Sequence, residues 1–186
     1  NRAEVMFFTS RQQVYKCRLS DFDDAKASVL GDYLPTKLGM EPEEAVVGMV
    51  LPGDYGGSML FFFENGKAAR VELSAYATTS NRRRLTGAYS DKSPLAALLH
   101  LTEDRELVLY SSDSRALIFS TALLAPKTTR STQGVQVMAL KTRGRLAEVR
   151  ELADSAITNL GRYRCRSIPA AGALLKEEDG DQMRLL

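Results

Sequence analysis

The sequence predicts an all-β fold, a propeller-like array of about three four-stranded blades with a C-terminal tail. Three segments of one design support this prediction, at residues 6–22, 60–76 and 108–124. Each consists of an apolar run rich in Phe, Val and Leu, a short polar turn, and a second run that alternates with the two-residue period of a β-strand. Each segment therefore predicts a β-hairpin.

The spacing of the hairpins predicts that the blade is the repeating unit. The three segments end at residues 22, 76 and 124, so successive copies are offset by 54 and 48 residues. A period of roughly 40–50 residues is typical of four-stranded propeller blades. The second turn contains Asn65-Gly66, a dipeptide that tolerates the positive φ angles of a tight hairpin.

Further apolar stretches complete the predicted blades. The remaining strands are expected in the stretches that follow the hairpins, at 45–51, 94–101, 134–140 and 146–149. The blades are predicted to span approximately 4–57, 58–105 and 106–150. Residues 151–186 leave the pattern, and they are predicted to form a C-terminal tail that packs on the last blade.

The composition is that of an ordinary globular protein. Hydrophobic residues make up 44% and charged residues 26% of the 186 residues. The chain is too apolar to be disordered, and its apolar runs are too short to span a membrane. The net charge is only +2, but residues 125–145 hold five basic side chains and no acid, whereas residues 21–44 hold seven acids and two lysines. The charge distribution, rather than the total, points to a basic surface.

No metal site or disulfide is predicted. Cys17 and Cys165 are far apart in the sequence and His100 is the single histidine, so neither a zinc site nor a disulfide framework has support. The acids at 21, 23 and 24 lack the ligand spacing of a calcium loop. Two reduced thiols and a solvated acidic segment are the expected outcome.

The sequence pattern of the hairpins resembles that of a known protein family. An apolar run and a turn are followed by Val14-Tyr15-Lys16 or Ala69-Arg70, and then by Leu-Ser-x-Phe/Tyr at residues 19–22 and 73–76. Residues 132–137 contain a Gly-Val pair that opens a strand, and residues 26–35 contain Gly and Lys in a linker. This pattern resembles the repeat of the C-terminal domain of DNA gyrase and topoisomerase IV A subunits, and it covers roughly residues 4–150.

The resemblance implies a β-pinwheel, in which neighbouring blades exchange strands and DNA bends around a basic outer rim. The implied function is that of a non-catalytic DNA-binding and DNA-bending domain, which presents DNA for ATP-dependent strand passage by a type IIA topoisomerase. The Gly- and Arg-rich box of gyrase A subunits has no faithful copy here, which favours topoisomerase IV-like relaxation and decatenation over supercoiling. Three repeats are fewer than the family's usual five or six, so the domain is either shortened or preceded by further blades.

The resemblance also implies partners. These are double-stranded DNA, the breakage-reunion domain of the same chain and the ATPase B subunit, in the bacterial cytoplasm, associated with the nucleoid and not with a membrane. The full subunit is expected to be dimeric and this fragment monomeric. The chain begins at Asn1 rather than Met, which predicts a piece of a longer protein. It has no Gly-rich phosphate loop, so no cofactor is expected here, and ATP and Mg²⁺ are expected elsewhere in the full enzyme.

The implied DNA site is a set of cations in the loops between each hairpin and the strand that follows. Lys and Arg side chains on a curved edge neutralise phosphates and release counterions, which gives affinity without sequence preference and a steep salt dependence. Two such loops are basic, and their cations are Arg82, Arg83, Arg84, Lys92, Lys127 and Arg130. The alternative interpretation is that the run 82–84 is only a solvated loop.

Six further cations are candidates. Lys16 and Arg70 occupy the same position in the first two hairpins, where the third has Ile118, and they are predicted to extend the DNA track. Protection of strand edges is the alternative for this pair. The others lie in turns or at strand ends, with solvation as the alternative, and are Lys67, Lys141, Arg143 and Arg145.

No residue is predicted to be catalytic. Type IIA topoisomerases cleave DNA with a tyrosine, but none of the seven tyrosines lies in a motif that matches the breakage-reunion region. His100 lies among leucines without a visible partner for acid–base work. The phenylalanines of the hairpins are predicted to be core residues rather than platforms for stacked bases. The fragment alone is therefore not expected to be an enzyme.

A second hypothesis is a propeller-like protein–protein interaction module without DNA affinity. The near-neutral net charge, the acidic segment 21–44 and the acidic residues at 177–181 motivate it. It predicts that replacing the three arginines at 82–84 by glutamate changes no DNA affinity, because there is none to change.

Overall fold

The computed structural model describes residues 3–24, 30–80 and 82–180. These residues form an almost entirely β structure with two short helices, α1 (Leu34–Leu38) and α2 (Leu160–Tyr163). The strands are β1 (Glu4–Thr9), β2 (Gln13–Arg18), β3 (Val46–Val50), β4 (Ser58–Phe63), β5 (Lys67–Glu72), β6 (Arg84–Thr86), β7 (Leu95–Leu101), β8 (Glu106–Ser111), β9 (Arg115–Ser120), β10 (Val135–Gln136), β11 (Leu146–Glu151) and β12 (Ala173–Leu174). The all-β prediction is confirmed.

The strands form three four-stranded antiparallel sheets, and each sheet is built around one predicted hairpin. Sheet 1 has the order β3-β1-β2-β6, sheet 2 the order β10-β5-β4-β7, and sheet 3 the order β11-β8-β9-β12. A later strand returns to pair with the first strand of each hairpin, namely β3 in sheet 1, β7 in sheet 2 and β11 in sheet 3. Because β7 contacts both β3 and β11, these three strands form the inner side of the array. The strands β6, β10 and β12 form the outer edges.

Each outer strand comes from a later part of the chain than the hairpin it joins. The strand β6 follows the hairpin of sheet 2 but pairs with β2 of sheet 1, and β10 follows the hairpin of sheet 3 but pairs with β5 of sheet 2. The strand β12 comes from the tail and pairs with β9. This is the strand exchange that the resemblance implies.

The predicted blade boundaries therefore do not enclose whole sheets. Residues 84–86 fall within the predicted second blade, 58–105, yet they complete sheet 1. The tail, 151–186, also supplies a strand. The physical reason is that the free edge of a hairpin carries unpaired N–H and C=O groups. The chain that passes this edge on its way from a later hairpin satisfies them.

The core lies between the sheets, and sheet 2 is buried on both faces. Phe61 faces sheet 1, where its ring centroid is 5.8 Å from that of Phe8, and Phe62 faces sheet 3, 5.9 Å from Phe119. Successive strand residues point to opposite faces, so the apolar run 59–63 fills both interfaces. The predicted core role of the hairpin phenylalanines agrees with their burial.

The two outward faces of the stack are covered by connecting segments. On sheet 1, Leu34 and Leu38 of α1 pack against a buried cluster that includes Phe7. On sheet 3, Ile157 and Tyr163 from the chain after β11 pack against Ile118. Burial of these side chains by segments from outside the hairpins removes the apolar faces of the end sheets from water.

One buried carboxylate anchors the C-terminal segment. The Asp179 Oδ1 atom accepts hydrogen bonds from the Thr158 amide and hydroxyl, both at 2.8 Å, and from the Asn159 amide at 3.2 Å. The Tyr163 hydroxyl donates to Oδ2 at 2.9 Å. These hydrogen bonds, led by that from the Thr158 amide, hold the pKa of Asp179 well below its usual range, against the opposing effect of burial.

This carboxylate predicts a loss of stability in acid. Because the pKa of Asp179 is lower in the folded than in the unfolded chain, the unfolded chain takes up the proton first as the pH falls. The stabilisation is complete above the ordinary carboxyl pKa and is lost below it. We expect the midpoint of thermal unfolding, followed by circular dichroism at pH 7, 5 and 3.5, to fall most in the last interval. Asp179→Asn should flatten this fall, and parallel pH profiles for the two proteins would contradict the assignment.

Candidate nucleic-acid interface

The predicted DNA-binding residues divide between the two ends of the hairpins. The first strand of each hairpin begins, and the second ends, at what we call the base end, which Ser58 and Glu72 mark in sheet 2. The opposite end, which Gly66 marks in sheet 2, is called the turn end. A strand of six residues is about 20 Å long. One phosphate group therefore cannot be contacted from both ends.

Three equivalent segments run along the outer edge near the base end. These outer connections, residues 77–83, 124–134 and 155–172, each lead from a 3₁₀ turn to an outer strand. Each forms a backbone hydrogen bond with the same position of its hairpin. In sheet 1, the hairpin amide of Lys16 donates to the Arg83 carbonyl at 2.7 Å. In sheets 2 and 3, the amides of Lys127 and Cys165 donate to the hairpin carbonyls of Arg70 and Ile118, at 2.8 and 3.0 Å. Arg164 is also bridged to Ile118. A basic residue thus lies beside each equivalent position, namely Arg83, Lys127 and Arg164.

The side chains of these three residues are exposed. Neither Arg83 nor Lys127 forms an ion pair with a carboxylate in the described ranges, whereas Arg164 forms a two-pronged pair with Glu106, at 2.7 and 2.8 Å. Arg164 was not predicted, because it lies in a tail that shows no repeat. No motif marks it, and only its backbone bridge to Ile118 identifies it.

A polar cavity of about 410 Å³ opens at the first of these outer connections. Its lining cations are Lys16, Arg18, Arg82 and Arg83, its hydroxyls are those of Thr78, Thr79 and Ser80, and its carboxylates are those of Glu4 and Asp21. Four cations against two carboxylates, together with three hydroxyl donors, suit an anionic oxygen ligand such as a phosphate. Arg18 was not among the predicted residues, because it follows β2 without forming a basic run.

Arg130 extends this basic region from a different sheet. Its Nη1 atom donates to the carbonyl of Ala75 at 3.1 Å, so the second outer connection is tied to the base end of sheet 2. The charge of Arg130 also affects Lys16, which lines the first cavity. The pKa of Lys16 is lowered, mainly by burial and further by the charge of Arg130, although Glu4 opposes both effects.

Lys16 and Arg70 form contacts with other parts of the protein. Their side chains are only 5% and 15% exposed. The Lys16 ammonium donates to the Tyr55 hydroxyl at 2.8 Å, and the Arg70 guanidinium pairs with Asp104 at 2.8 Å. Both cations are therefore engaged by partners within the protein, and the phosphate contacts of this pair stay a prediction. Sequence position revealed the repeated cation but not its partners.

The run of three arginines is also divided. Arg82 and Arg83 line the cavity, whereas Arg84 belongs to β6, lies opposite Tyr15 and has its Nη1 atom 3.7 Å from the Glu41 carboxylate. Arg84 is exposed, so it remains a candidate at the margin of the basic region.

The remaining predicted cations lie at the turn end. Arg145 exchanges backbone and side-chain hydrogen bonds with Ser112 in the turn of sheet 3, at 2.9 and 3.0 Å. The turn-end cations are Lys67, Lys92, Lys141, Arg143 and Arg145. Lys92 lies close to the Asp91 carboxylate, at 3.7 Å. The structure therefore separates these five residues from the outer connections.

The described residues show no cluster of metal-binding side chains. No group of three His, Cys, Asp or Glu side chains in these ranges is placed to bind a metal ion. The His100 Nε2 atom lies 3.2 Å from the Gly56 carbonyl oxygen. Burial, together with the charges of Asp21 and Glu4, raises the pKa of the Cys17 thiol to about 11. The helices of the described ranges are all too short or too polar to cross a membrane.

Comparisons with known proteins agree with the fold. No protein-family model matches the chain. The DNA gyrase A subunits of Mycobacterium bovis (strain BCG / Pasteur 1173P2) and Mycobacterium tuberculosis (strain CDC 1551 / Oshkosh) are each 24% identical over 170 residues, or 88% of this chain and 20% of theirs. The chain thus spans about a fifth of the length of these relatives.

Two solved structures are similar in fold. The C-terminal domain of DNA topoisomerase IV has a TM-score of 0.70 and 20% identity, covering 83% of this chain and 49% of that one. The C-terminal domain of DNA gyrase A has a TM-score of 0.62 and 15% identity, covering 96% and 63%. The chain has the β-pinwheel fold of these domains. The resemblance seen in the hairpins is therefore confirmed in sequence and in structure.

The Gly-Val pair in residues 132–137 opens a strand of the β-pinwheel, as expected. Gly134 adopts a φ of +72°, and Val135 begins the exchanged strand β10. In the predicted linker 26–35, residues 26–29 lie outside the described residues, and residues 30–35 lead into α1.

Proposed function

We propose that this β-pinwheel binds and bends double-stranded DNA along the base end of its outer edge, as a non-catalytic part of a type IIA topoisomerase A subunit. One observation carries the proposal. Backbone pairing in three successive outer connections, by hydrogen bonds of Arg83 and Lys127 and by the bridge of Arg164 to Ile118, places these three cations beside equivalent hairpin positions. A regular row of cations on a curved edge matches the regular row of phosphates on a bent duplex.

The contacts expected from this edge are to the phosphate backbone rather than to bases. The arginine, lysine and hydroxyl side chains lie on connections whose described part contains only the four-residue helix α2, which is too short to read a major groove. Backbone contacts fix the position of a duplex but carry little sequence information. The affinity should therefore depend on salt far more than on DNA sequence.

A salt titration tests the proposal. A fluorescent duplex of about 40 base pairs is titrated with the protein at salt concentrations from 50 to 200 mM, with a second duplex of unrelated sequence as control. About four to six phosphate contacts predict a slope of log K against log salt of about −4 to −5, equal for both duplexes. A slope near zero, or no binding at 50 mM salt, would count against DNA binding.

The proposal extends to the whole enzyme. We propose topoisomerase IV-like relaxation and decatenation, because the sequence has no faithful Gly- and Arg-rich box, and we place ATP, Mg²⁺ and the cleaving tyrosine in other parts of the assembly. The proposed partners are the breakage-reunion domain and the ATPase B subunit, in a dimeric enzyme of the bacterial cytoplasm. Negative supercoiling by the reconstituted enzyme would contradict the preference over gyrase.

A protein–protein interaction module is the second candidate, and one observation favours it. Val47, Met49 and Leu51, on and beside the inner strand β3, are 42%, 62% and 52% exposed. An exposed apolar row of this kind is typical of protein contacts. This candidate predicts that the salt titration detects no DNA binding.

A further inference from the structure

The buried cations Lys16 and Arg70 connect successive sheets. Each occupies the fourth position of the second strand of its hairpin, in β2 and β5 respectively. From there each side chain reaches the segments that enter and leave the next hairpin. We call the interface between two neighbouring sheets, with these segments, a joint.

At the first joint, Lys16 contacts both ends of the hairpin of sheet 2. Its ammonium group lies 2.8 Å from the hydroxyl of Tyr55, which precedes β4, and 3.5 Å from that of Thr78, which follows the 3₁₀ turn after β5. It is also 3.9 Å from the Glu4 carboxylate, to which the Tyr55 hydroxyl donates a hydrogen bond. The lysine therefore links sheet 1 to the beginning and the end of the next hairpin.

At the second joint, Arg70 makes the corresponding contacts with sheet 3. Its Nη1 atom donates to Asp104, which precedes β8, at 2.8 Å. It also donates to the carbonyls of Thr121 and Leu124, which follow β9, at 3.1 and 3.2 Å. The Thr121 hydroxyl donates to the same Asp104 oxygen at 2.9 Å. The guanidinium group thus ties the same two segments together as Lys16 does at the first joint.

The third sheet has no following hairpin in the described chain, and the equivalent position holds Ile118. Its side chain lies in the apolar cluster that the C-terminal segment covers. A cation thus occurs at this position where another sheet follows, and an apolar residue where the segment after β11 covers the face. This difference links the charge to the joint rather than to the hairpin.

Directional hydrogen bonds can determine the angle of a joint, whereas apolar packing cannot do so alone. The hydrophobic effect scales with buried area and has no direction. A cation held by several acceptors restricts the approach of the segments that carry them, because displacing an acceptor breaks a charge-assisted hydrogen bond whose geometry is directional. Lys16 and Arg70 are therefore suited to fix the rotation of each sheet against the next.

We propose that Lys16 and Arg70 are positioning residues that set the angle between successive sheets, and with it the path of DNA past Arg83, Lys127 and Arg164. The control of the joint angle is independent of any ligand. The consequence for DNA rests on the proposed function.

The joint angle is tested by distances between spin labels without DNA. Labels at cysteines replacing Arg11 and Asn65 report the first joint, and labels at Asn65 and Arg145 report the second, in a protein whose native cysteines are replaced by serine. Arg70→Met should broaden the second distance distribution about twofold and leave the first unchanged, and Lys16→Met should do the reverse. Arg143→Met, which removes an exposed guanidinium at the turn end, is the matched control.

A second variant keeps the test decisive if Arg70→Met does not fold. Asp104→Asn preserves the shape of the side chain but removes its charge, so it should broaden the same distribution by a smaller amount. In the double variant the broadening should not exceed that of Arg70→Met, because both changes remove one interaction. Unchanged distributions in either folded single variant would overturn the proposal.

Measurements of DNA bending and binding distinguish the positioning role of Lys16 and Arg70 from the proposed DNA-binding function. With a duplex that carries a dye at each end, Arg70→Met should reduce the bend while the salt slope of binding stays within about half a unit of the original. A salt slope that falls by about one, with unchanged label distances, would identify Arg70 as a phosphate contact and overturn the positioning role. Broadened distances in a protein that binds no DNA would support the joint while refuting the proposed function.

Discussion

Replacing Arg83 and Lys127 together by glutamate is expected to weaken DNA binding about a hundredfold at 0.1 M salt. Each phosphate contact releases about 0.9 of a counterion, which at this salt concentration corresponds to roughly a tenfold change in affinity. The two residues lie on different outer connections, so their contributions should be nearly additive. The slope of log K against log salt should become less steep by about two.

The control for this experiment is a second double variant, Lys141→Glu with Arg143→Glu. It changes the net charge by the same amount but alters only exposed side chains at the turn end. We expect it to change affinity less than about fivefold, through long-range electrostatics alone. Equal losses in the two double variants would mean that total charge, rather than the outer connections, determines binding. Fluorescence titration of both variants at three salt concentrations decides between these outcomes.

Replacing Gly134 by alanine is expected to destabilise the protein by about 2–5 kcal/mol, the sum of a left-handed backbone cost and an overpacking cost. Gly134 has a φ of +72° at the point where the second outer connection joins sheet 2. A Cβ atom there would lie 2.0 Å from the carbonyl oxygen of Ala68, which belongs to β5 and cannot move without disturbing the sheet. The exchanged strand β10 should therefore separate from β5.

The matched control is Gly31→Ala. Apart from Gly31 and its two chain neighbours, no atom of the described residues lies within 4 Å of a Cβ built there, and its φ is outside the left-handed region, so the substitution should change stability by less than about 1 kcal/mol. Denaturant unfolding gives the free energies. Hydrogen exchange should show faster exchange at the amides of β5 and β10 in Gly134→Ala, with β1 and β2 less affected. A stability within 1 kcal/mol of the parent protein would show that the glycine is not required for strand exchange.

Some of the fold was predictable because its determinants are local. The hairpins β1-β2, β4-β5 and β8-β9 coincide with the three predicted segments, since strand alternation and turn residues lie next to one another in the chain. The strand β7 lies within the predicted stretch 94–101. The short outer strands β6 and β12 were not predicted, because two or three residues show no periodicity and their pairing joins distant parts of the chain.

The candidate site was predictable in part, and for a related reason. Arg82, Arg83, Lys127 and Arg130 lie on outer connections as expected. The protein partners of Lys16 and Arg70 were not predictable, because the sequence of a cation is the same whether its partner is a phosphate or an acceptor in the protein. Arg164 was missed because its place beside Ile118 is visible only as a backbone bridge between distant parts of the chain.

By itself, the sequence determined the all-β class, the number of hairpins and the residue types that reach the outer edge. These follow from periodicity, turn chemistry and charge, which are properties of short stretches of chain. Only the tertiary structure decided which sheet each outer strand completes, which cations are buried in joints and which are left for a ligand. Those outcomes depend on contacts between residues that are 34 or more positions apart, whose free energy no local pattern records.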